Sequence, residues 1–353
     1  MNKIDEHLQH ALKENASDLH VISGDPLRIR VHGKLLSISD DNLEVDFVRS
    51  AMYEIMSGTT QQTFEREDAA DFAYDLTGIS RFRVNVFRHL NGIGAVFRAI
   101  PSQARTLEEL DMPDVVLNLC RQNQGMILVT GKTGSGKSTT LAAMIDAINK
   151  RIKGHILTIE DPIEFVHERK GCLISQREVG VHADSFASAL HSALREDPDV
   201  ILVGELRDLE TISIAVTAAE MGILVMGTLH TNGAAATVDR IINTFPAEKQ
   251  GHIRTMLSTS LRGVISQQLL PTKHKPGRIA ALEIMINTPA ISNLIRQGRI
   301  DQLENAMQSG GALGMRTMDA ALMDLVDRRF VSGAEAYQQA NNKAAFQAIK
   351  NNK

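Results

Sequence analysis

The sequence contains no tryptophan, and only 4% of its 353 residues are aromatic. Aromatic cages and stacking platforms for nucleic-acid bases are therefore not expected as themes of its function. Its two cysteines, Cys120 and Cys172, do not form a Cys-x-x-Cys pair, so no cysteine-based zinc motif is present. Two isolated thiols are typical of a reducing compartment.

A strong charge of either sign is also absent: 38 basic and 42 acidic residues give a net charge of −4, and the sequence pI is about 6.3. This balance argues against a protein that mainly coats nucleic acid, so no direct nucleic-acid partner is expected. The polar N-terminal sequence predicts no signal peptide. One apolar run, Ile212 to Leu229, contains Glu220 and is divided by Gly222, which predicts a buried helix and strand rather than a membrane span. We therefore expect a cytoplasmic protein.

The composition is otherwise that of an average globular chain, with 43% hydrophobic and 23% charged residues. The pattern of apolar segments predicts an α/β protein in four parts. An N-terminal α+β domain over residues 1–100 is followed by a linker over 101–113, which two prolines bracket. Residues 114–290 alternate apolar strands with helices, which predicts a parallel sheet covered on both faces. Residues 291–353 are predicted to be helical.

After the apolar strand MILVT, residues 131–138 read GKTGSGKS and fit the pattern G-x-x-x-x-G-K-[ST]. Glycines let backbone amides cradle phosphate oxygens, Lys137 reaches the β and γ phosphates of ATP, and the Ser138 hydroxyl binds Mg²⁺. An ordinary glycine-rich turn is the alternative, but the predicted strand before and helix after are the context that the motif requires. The expected nucleotide-binding residues are Gly131, Lys132, Thr133, Gly134, Ser135, Gly136, Lys137, Ser138 and Thr139.

Open parallel sheets bind ligands at the carboxyl ends of their strands, so the residues that follow each strand are informative. Glu160, Asp161 and Glu164 follow the strand HILTI, Glu205 follows VILVG, and His230 follows ILVMGTL. Carboxylates and an imidazole beside a phosphate loop suit metal-assisted nucleotide hydrolysis. The expected metal ligands are Ser138, Glu160 and Asp161.

The strand VILVG ends where many phosphate-loop proteins carry an aspartate at the metal, whereas this chain has Gly204 followed by Glu205. We assign Glu205 as the general base or the residue that positions the attacking water. A solvated or helix-capping acid is the alternative. His230 is assigned as a sensor of the γ-phosphate, and the alternative is a loop histidine that is hydrogen-bonded to backbone.

Transition-state charge spreads over the γ-phosphoryl oxygens, so such a site also needs arginines. Arg81 and Arg83 lie on the polar face of the predicted strand SRFRVNVF, and Arg98 ends the next strand. These three residues either line a subunit junction and reach the nucleotide of a neighbouring subunit, or form a solvated face.

Three other functions share parts of this pattern. A phosphate-loop kinase for a small molecule would need a lid with several arginines, which the sequence lacks. A subunit that only binds nucleotide would not need Lys137, Ser138 and Glu205 together. A nucleic-acid translocase on the same core is disfavoured by the acidic pI and the scarcity of aromatic residues.

Four segments carry a resemblance to a known family: GKTGSGKSTT, ILTIEDPIEFVH, REDPDVILVGELRDLET and GTLHTNGAAATVDRIINTFP. They are similar to the nucleotide-site segments of the secretion-type hexameric ATPases, and within these to the PilT-type motors that retract type IV pili. ASDLHV near residue 16 and SRFRVNVF resemble the PAS-like N-terminal domain of that family, while AISNLIRQG (290–298) and GMRTMD (314–319) resemble its C-terminal signatures. The resemblance covers essentially the whole chain.

The resemblance implies a PAS-like N-terminal domain and a RecA-like ATPase domain with a helical C-terminal region, assembled as a homo-hexamer. In that family, arginines of the N-terminal domain reach the phosphates of a neighbouring subunit, which favours this role for Arg81, Arg83 and Arg98.

The resemblance also implies roles for three strand-end residues. Glu164 matches the acidic segment of the family, Glu205 its catalytic glutamate and His230 its histidine box. ATP hydrolysis would drive a domain rotation that is passed to an inner-membrane platform protein at the pilus base, and these partners would hold the motor at the membrane. Pilus-assembly and type II secretion ATPases usually carry a four-cysteine zinc module and a long N-terminal extension. This sequence has neither, which favours retraction.

One C-terminal motif departs from the family. The motif usually reads AIRNLIRE, and this chain has AISNLIRQ, with Ser292 and Gln297. That segment is tied in the family to retraction rather than to hydrolysis. An accessory or paralogous pilus or secretion ATPase is therefore the second interpretation.

Overall fold

A computed structural model of the protein divides the chain into two compact units. Unit 1 is the N-terminal part with one short later segment, and unit 2 is the remainder. The units are Met1–Gln103 with Glu164–Val166, and Ala104–Ile163 with His167–Lys353. The residues that the structure describes are 2–31, 33–100, 104–274 and 277–350.

The linker that the sequence predicts falls only partly on described residues. Residues 101–103 lie outside the described part of the chain, and residues 104–113 belong to unit 2. The end of the predicted helical region, residues 351–353, also lies outside it. The four-part domain division stays a prediction.

Unit 1 is an α+β unit. Its elements are α1 (Asp5–Lys13), β1 (Asp18–Ile22), β2 (Pro26–Val31), β3 (Lys34–Asn42), α2 (Val45–Ile55), α3 (Gly58–Glu67), β4 (Ala69–Leu76), β5 (Ser80–His89) and β6 (Gly92–Ile100). Within the described residues of this unit, six strands form one antiparallel sheet in the order β3-β2-β1-β6-β5-β4.

Alternating apolar and polar residues shape strand β5. Phe82, Val84 and Val86 are buried, while Arg83 is exposed, as the sequence pattern predicts. The buried side chains join residues of α1, α2 and α3 in one core. Each such side chain stabilises the fold by about 1.5–3 kcal/mol because its apolar surface leaves water. The opposite side chains of β5 are left to face solvent.

Unit 2 begins with alternating helices and strands, as the sequence predicts. Its first elements are α4 (Asp114–Cys120), β7 (Gly125–Thr130), α5 (Lys137–Arg151), β8 (His155–Glu160), β9 (Leu173–Glu178), α6 (Phe186–Ala193), β10 (Val200–Val203), α7 (Leu209–Glu220) and β11 (Leu224–Leu229). The remaining ones are α8 (Ala234–Asn243), α9 (Ala247–Ser260), β12 (Leu261–Pro271), β13 (Arg278–Ile286), α10 (Pro289–Gln297), α11 (Leu303–Ser309), α12 (Met318–Asp327), α13 (Gly333–Gln339) and α14 (Lys343–Phe346).

Among the described residues of unit 2, seven strands form one sheet in the order β13-β12-β7-β11-β10-β8-β9. The strands pair in parallel from β12 to β9, whereas β13 runs antiparallel to β12. The strands from which the sequence predicts a parallel sheet, up to β11, pair in parallel, and β13 adds an antiparallel partner of β12 at one edge. Residues 272–277 are too few for the crossover that two parallel strands need, so the two strands pair as a hairpin.

The sheet of unit 2 is covered on both faces, because successive residues of its strands point in opposite directions. Met126 and Leu128 of β7 belong to one hydrophobic core, which includes residues of α7, α8 and α9. Ile127 and Val129 belong to the other, which includes residues of α4 and α5. Every residue of β7 is buried, which explains its continuous apolar sequence.

The apolar run from Ile212 to Leu229 is divided as the sequence predicts. It forms the end of α7 and all of β11, and Gly222 between them has a φ of 104°, a left-handed value that favours glycine. Within the described ranges, no helix is both long and apolar enough to cross a membrane.

Candidate functional site

The predicted phosphate loop connects the carboxyl end of β7 to the amino end of α5. Gly131, Gly134 and Gly136 have φ angles of 141°, 78° and 87°, which residues with a Cβ rarely adopt. A Cβ at Gly131 would also lie 2.3 Å from the carbonyl oxygen of Gln267. The backbone conformation of the loop therefore requires glycines at these positions, whether or not phosphate is bound.

Lys137 is the first residue of α5 and is 9% exposed. Its ammonium donates hydrogen bonds to the carbonyl oxygens of Gly131 and Lys132, at 2.9 and 3.3 Å. The hydroxyl oxygen of Ser135 is buried and has no hydrogen-bond partner among the residues that the structure describes. The positive end of a helix, an ammonium and an unpaired hydroxyl thus belong to one loop, which fits a phosphate group.

Strands β7, β11, β10 and β8 are successive neighbours, so the residues that follow them meet at one edge of the sheet. Hydrogen bonds also connect the residues at the carboxyl ends of these strands. The amide of Gly204 donates to the carbonyl of Ile159 at 2.7 Å, and the carbonyl of Gly204 accepts from the hydroxyl of Thr228 at 2.6 Å. The predicted residues at this edge are Glu160, Glu205 and His230, beside the phosphate loop.

The glycine that replaces the common aspartate has a structural reason. A Cβ at Gly204 would lie 3.2 Å from the Cα of Glu160 and 3.2 Å from the carbonyl oxygen of Ile159. Both atoms belong to the backbone of β8, which the sheet holds in place. A side chain at position 204 would be in close contact with this strand. The next position, Glu205, can carry a carboxylate without that contact.

Glu205 is held by two basic side chains. Its Oε2 lies 2.6 Å from Nη2 of Arg207 and 3.4 Å from Nε2 of His230. Burial raises the pKa of Glu205, but the hydrogen bond from Arg207 and the charges of His230 and Arg207 outweigh burial, so the pKa lies below its ordinary value. Glu205 is therefore ionised at neutral pH and can accept a hydrogen bond from water.

The acidic segment after β8 is less closely assembled. Glu160 accepts a hydrogen bond from the amide of Gln176 at 3.3 Å, and Asp161 is exposed. Glu164 is grouped with unit 1. In the described part of the chain, no group of three or more His, Cys, Asp or Glu side chains is placed to hold a metal ion. A cation here would therefore need other oxygens, such as the Ser138 hydroxyl and the phosphates of a nucleotide.

The three predicted arginines lie in unit 1. Arg83 on β5 and Arg98 on β6 are directly opposite each other in the sheet. Arg98 is 69% exposed and pairs with Asp18 at 2.9 Å, while Nε of Arg83 lies 3.9 Å from Oδ1 of Asp71. Arg81 is paired with an aspartate of β4 at 3.5 Å. The carboxylates of Asp18 and Asp71 offset the like charges that face each other across this sheet.

Sequence reasoning missed three neighbours of these residues. Arg207 follows Glu205 by two positions, so its closeness could have been noticed. Gln267 lies 132 residues from Ser135, whose carbonyl it contacts, and no local pattern marks such a pair. Arg30 shares Asp18 with Arg98, and this contact follows from strand pairing rather than from the alternating sequence of β2.

Comparisons with known proteins identify the relatives of this chain. The model of the family described as type II/IV secretion system protein matches residues 1–345. The type IV pilus retraction ATPase PilT of Pseudomonas aeruginosa is 52% identical over 337 residues, which cover 96% of this chain and 98% of the relative. The twitching motility protein of Neisseria gonorrhoeae is 51% identical over 318 residues, which cover 90% of this chain and 85% of the relative.

A solved structure, described as the pilus retraction motor PilT with bound ADP, matches with a TM-score of 0.91 and 42% identity. The match covers 98% of this chain and 99% of the other. The mixed α/β fold with an N-terminal part and an ATPase part, which the sequence predicts, is thereby confirmed, while the PAS-like character of unit 1 stays a prediction. The chain is an ATPase. It belongs to the type II/IV secretion system protein family.

Proposed function

We propose that this chain is an ATP-hydrolysing motor that drives the retraction of type IV pili, and with it pilus disassembly and twitching motility. The observation that carries the proposal is the 52% identity over 96% of the chain to a relative named as a pilus retraction ATPase. The fold match to a retraction motor with bound ADP supports a nucleotide site in this chain. The phosphate loop and the ionised Glu205 at one sheet edge support hydrolysis.

The proposed substrate is ATP, held by residues 131–139. Backbone amides of the loop and the N-terminus of α5 donate to the phosphate oxygens, and Lys137 turns from its two carbonyl partners to the β and γ phosphates. Ser138, Glu160 and Asp161 would hold Mg²⁺ or its waters. The ion would supply positive charge to the β and γ oxygens.

Glu205 is proposed to orient the attacking water. Its lowered pKa keeps the carboxylate charged at neutral pH, so the carboxylate accepts a hydrogen bond from the water. Arg207 and His230 hold one oxygen of this carboxylate, at 2.6 and 3.4 Å. Because we assign His230 to contact the γ-phosphate, nucleotide binding and the orientation of Glu205 are coupled through that oxygen. Glu164 is assigned to the acidic segment of the same site.

We further propose a homo-hexamer in which Arg81, Arg83 and Arg98 of one subunit contact the nucleotide of the next. The facing positions of Arg83 and Arg98 support this role, because two neighbouring guanidinium groups can bind phosphate oxygens together. In this assembly residues 1–100 form a PAS-like domain, residues 114–290 a RecA-like domain and residues 291–353 a helical region. Residues 101–113 join the first two, whose relative rotation ATP hydrolysis drives.

The proposed place of work is the cytoplasmic side of the inner membrane, at the base of the pilus. There a platform protein of the pilus machinery receives the rotation that hydrolysis drives, and the motor is peripheral to the membrane through these partners. The resemblance to pilus retraction motors supports this placement.

An accessory pilus ATPase is the second candidate, and one observation favours it. Relative to the usual AIRNLIRE motif, α10 lacks one basic and one acidic side chain, at Ser292 and Gln297. The hydroxyl of Ser292 donates to the carbonyl of Ser258 at 2.7 Å, so it ties α10 to the end of α9. In this candidate the chain hydrolyses ATP but supports a second motor.

The experiment that separates these functions counts surface pili and follows surface movement in cells with and without the gene. A retraction motor predicts more pili and lost movement without the gene. Bald cells would indicate an assembly motor and would contradict the proposal. Unchanged pili and movement would favour the accessory function. Changing Ser292 to Arg together with Gln297 to Glu would then be expected to increase retraction.

A further inference from the structure

Strand β12 carries a buried polar side chain beside the phosphate loop. Gln267 is 1% exposed and lies between two other polar residues of the strand, Ser266 and Gln268. From its contacts we infer that Gln267 is a positioning residue, which holds the phosphate loop in the shape that binds the phosphates of ATP. The inference rests on the proposed ATPase function and adds a residue that lies outside the phosphate-loop motif.

The side-chain amide of Gln267 forms one hydrogen bond with the phosphate loop and one with helix α5. The Nε2 group donates to the carbonyl of Ser135, and Oε1 accepts from the hydroxyl of Thr140 at 2.9 Å. Ser135 precedes Lys137 by two residues and Thr140 follows it by three. The two hydrogen bonds therefore fix the backbone on both sides of the lysine that reaches the phosphates, and they also fix which way the amide points.

The backbone of the loop is also in close contact with Gln267. A Cβ at Gly131 would lie 2.3 Å from the carbonyl oxygen of Gln267, and a Cβ at Gly136 would lie 3.1 Å from its Nε2. Gln267 itself has little freedom to move, because β12 pairs with β7 on one side and with β13 on the other. The loop is therefore built against a rigid strand rather than supported by its own residues alone.

Ser266, the residue before Gln267, contacts the loop that carries His230. The hydroxyl of Ser266 accepts a hydrogen bond from the amide of Gly233 at 2.9 Å, three residues after His230. Adjacent strand residues point to opposite faces of a sheet. Strand β12 thus contacts the phosphate loop with one residue and the loop of His230 with the next.

A purely structural role for Gln267 makes a different prediction. A buried amide that only satisfies two polar groups of the core would stabilise the chain equally with and without nucleotide. A positioning residue contributes more when phosphates occupy the loop, because its loss weakens nucleotide binding. The shift in melting temperature that ADP causes, and the KM for ATP, distinguish the two roles.

The experiment uses the full chain with Gln267→Leu, which keeps the volume and removes both hydrogen bonds. The matched control is Gln268→Leu, the next residue of β12, which is half-buried and whose Oε1 has no hydrogen-bond partner among the described residues. We expect Gln267→Leu to raise the KM for ATP about tenfold and to reduce the ADP-induced rise in melting temperature, since buried groups lose their partners. Gln268→Leu should stay within about twofold of the wild type.

A variant with one hydrogen bond less provides the second measurement. Thr140→Val removes the hydroxyl that donates to Gln267 and keeps its shape, so the KM should rise about threefold. If Gln267→Leu does not fold, Thr140→Val provides the test. An unchanged KM for ATP and an unchanged ADP-induced rise in melting temperature, in either Thr140→Val or a folded Gln267→Leu, would overturn the inference. Failure of the wild type to bind ADP would instead contradict the proposed function.

Discussion

His167 gives the protein a specific sensitivity to acid. It follows the acidic segment, and its amide donates to Oε1 of Gln176, whose own amide binds Glu160. The pKa of His167 is lowered from 6.5 to about 4, mainly by burial, while the charge of Asp146 opposes this shift and that of Lys170 adds to it. Protonation of His167 therefore destabilises the structure that holds Glu160.

The expected magnitude follows from the two pKa values. Since the folded state holds this proton less tightly than the unfolded chain, stability is fully present above pH 6.5 and falls as the pH drops towards 4. The full loss corresponds to about 3 kcal/mol, from a shift of about 2.5 pKa units. Between pH 7.5 and pH 5 the contribution of His167 to the loss is about 2 kcal/mol.

The assay is denaturant unfolding followed by circular dichroism, at pH 7.5 and pH 5, of the wild type and of His167→Gln. The variant has no proton to bind at this position, so its free energy of unfolding should fall by about 2 kcal/mol less between the two pH values. His252→Gln, which changes an exposed histidine of the same unit, should keep the wild-type difference. An equal decrease in the free energy of unfolding of His167→Gln and the wild type would show that His167 does not cause this sensitivity to acid.

Two further changes test other parts of the structure. Glu283 is 6% exposed and accepts from the amides of Ala234 and Met318, so Glu283→Leu should lower the free energy of unfolding by about 2–4 kcal/mol in denaturant titrations. A loss no larger than that of Glu304→Leu, on the surface, would show that this carboxylate caps neither helix. Arg83→Ala should reduce ATP turnover about 100-fold or more with unchanged ADP binding, because the arginine acts on transition-state charge. A normal rate would assign Arg83 to a solvated face.

The strands and the phosphate loop could be predicted because their signals are local. The apolar segments of β7, β10 and β11 and the motif of residues 131–138 each lie within a few neighbouring positions. Helix α5 starts directly after the loop, as the sequence predicts. Helix α3 could not be predicted, because Phe64 is its one large apolar residue and the one that the described structure buries.

The contacts that shape the site could not be predicted, because they join distant parts of the chain. Gln267 and Thr140 are 127 residues apart, and only the neighbouring positions of β12 and β7 bring them together. The alternation in β5 predicts that Arg83 faces solvent, but the register of the hairpin decides that it lies opposite Arg98.

We propose that Glu205, held at the sheet edge by Arg207 and His230, makes the bound nucleotide react with water. The rate of phosphate release from ATP, without any acceptor, is measured for the wild type and for Glu205→Gln at saturating nucleotide. We expect steady release by the wild type and a rate lower by about 100-fold or more in the variant, with ADP binding retained. Wild-type turnover by Glu205→Gln would show that this carboxylate does not orient the attacking water.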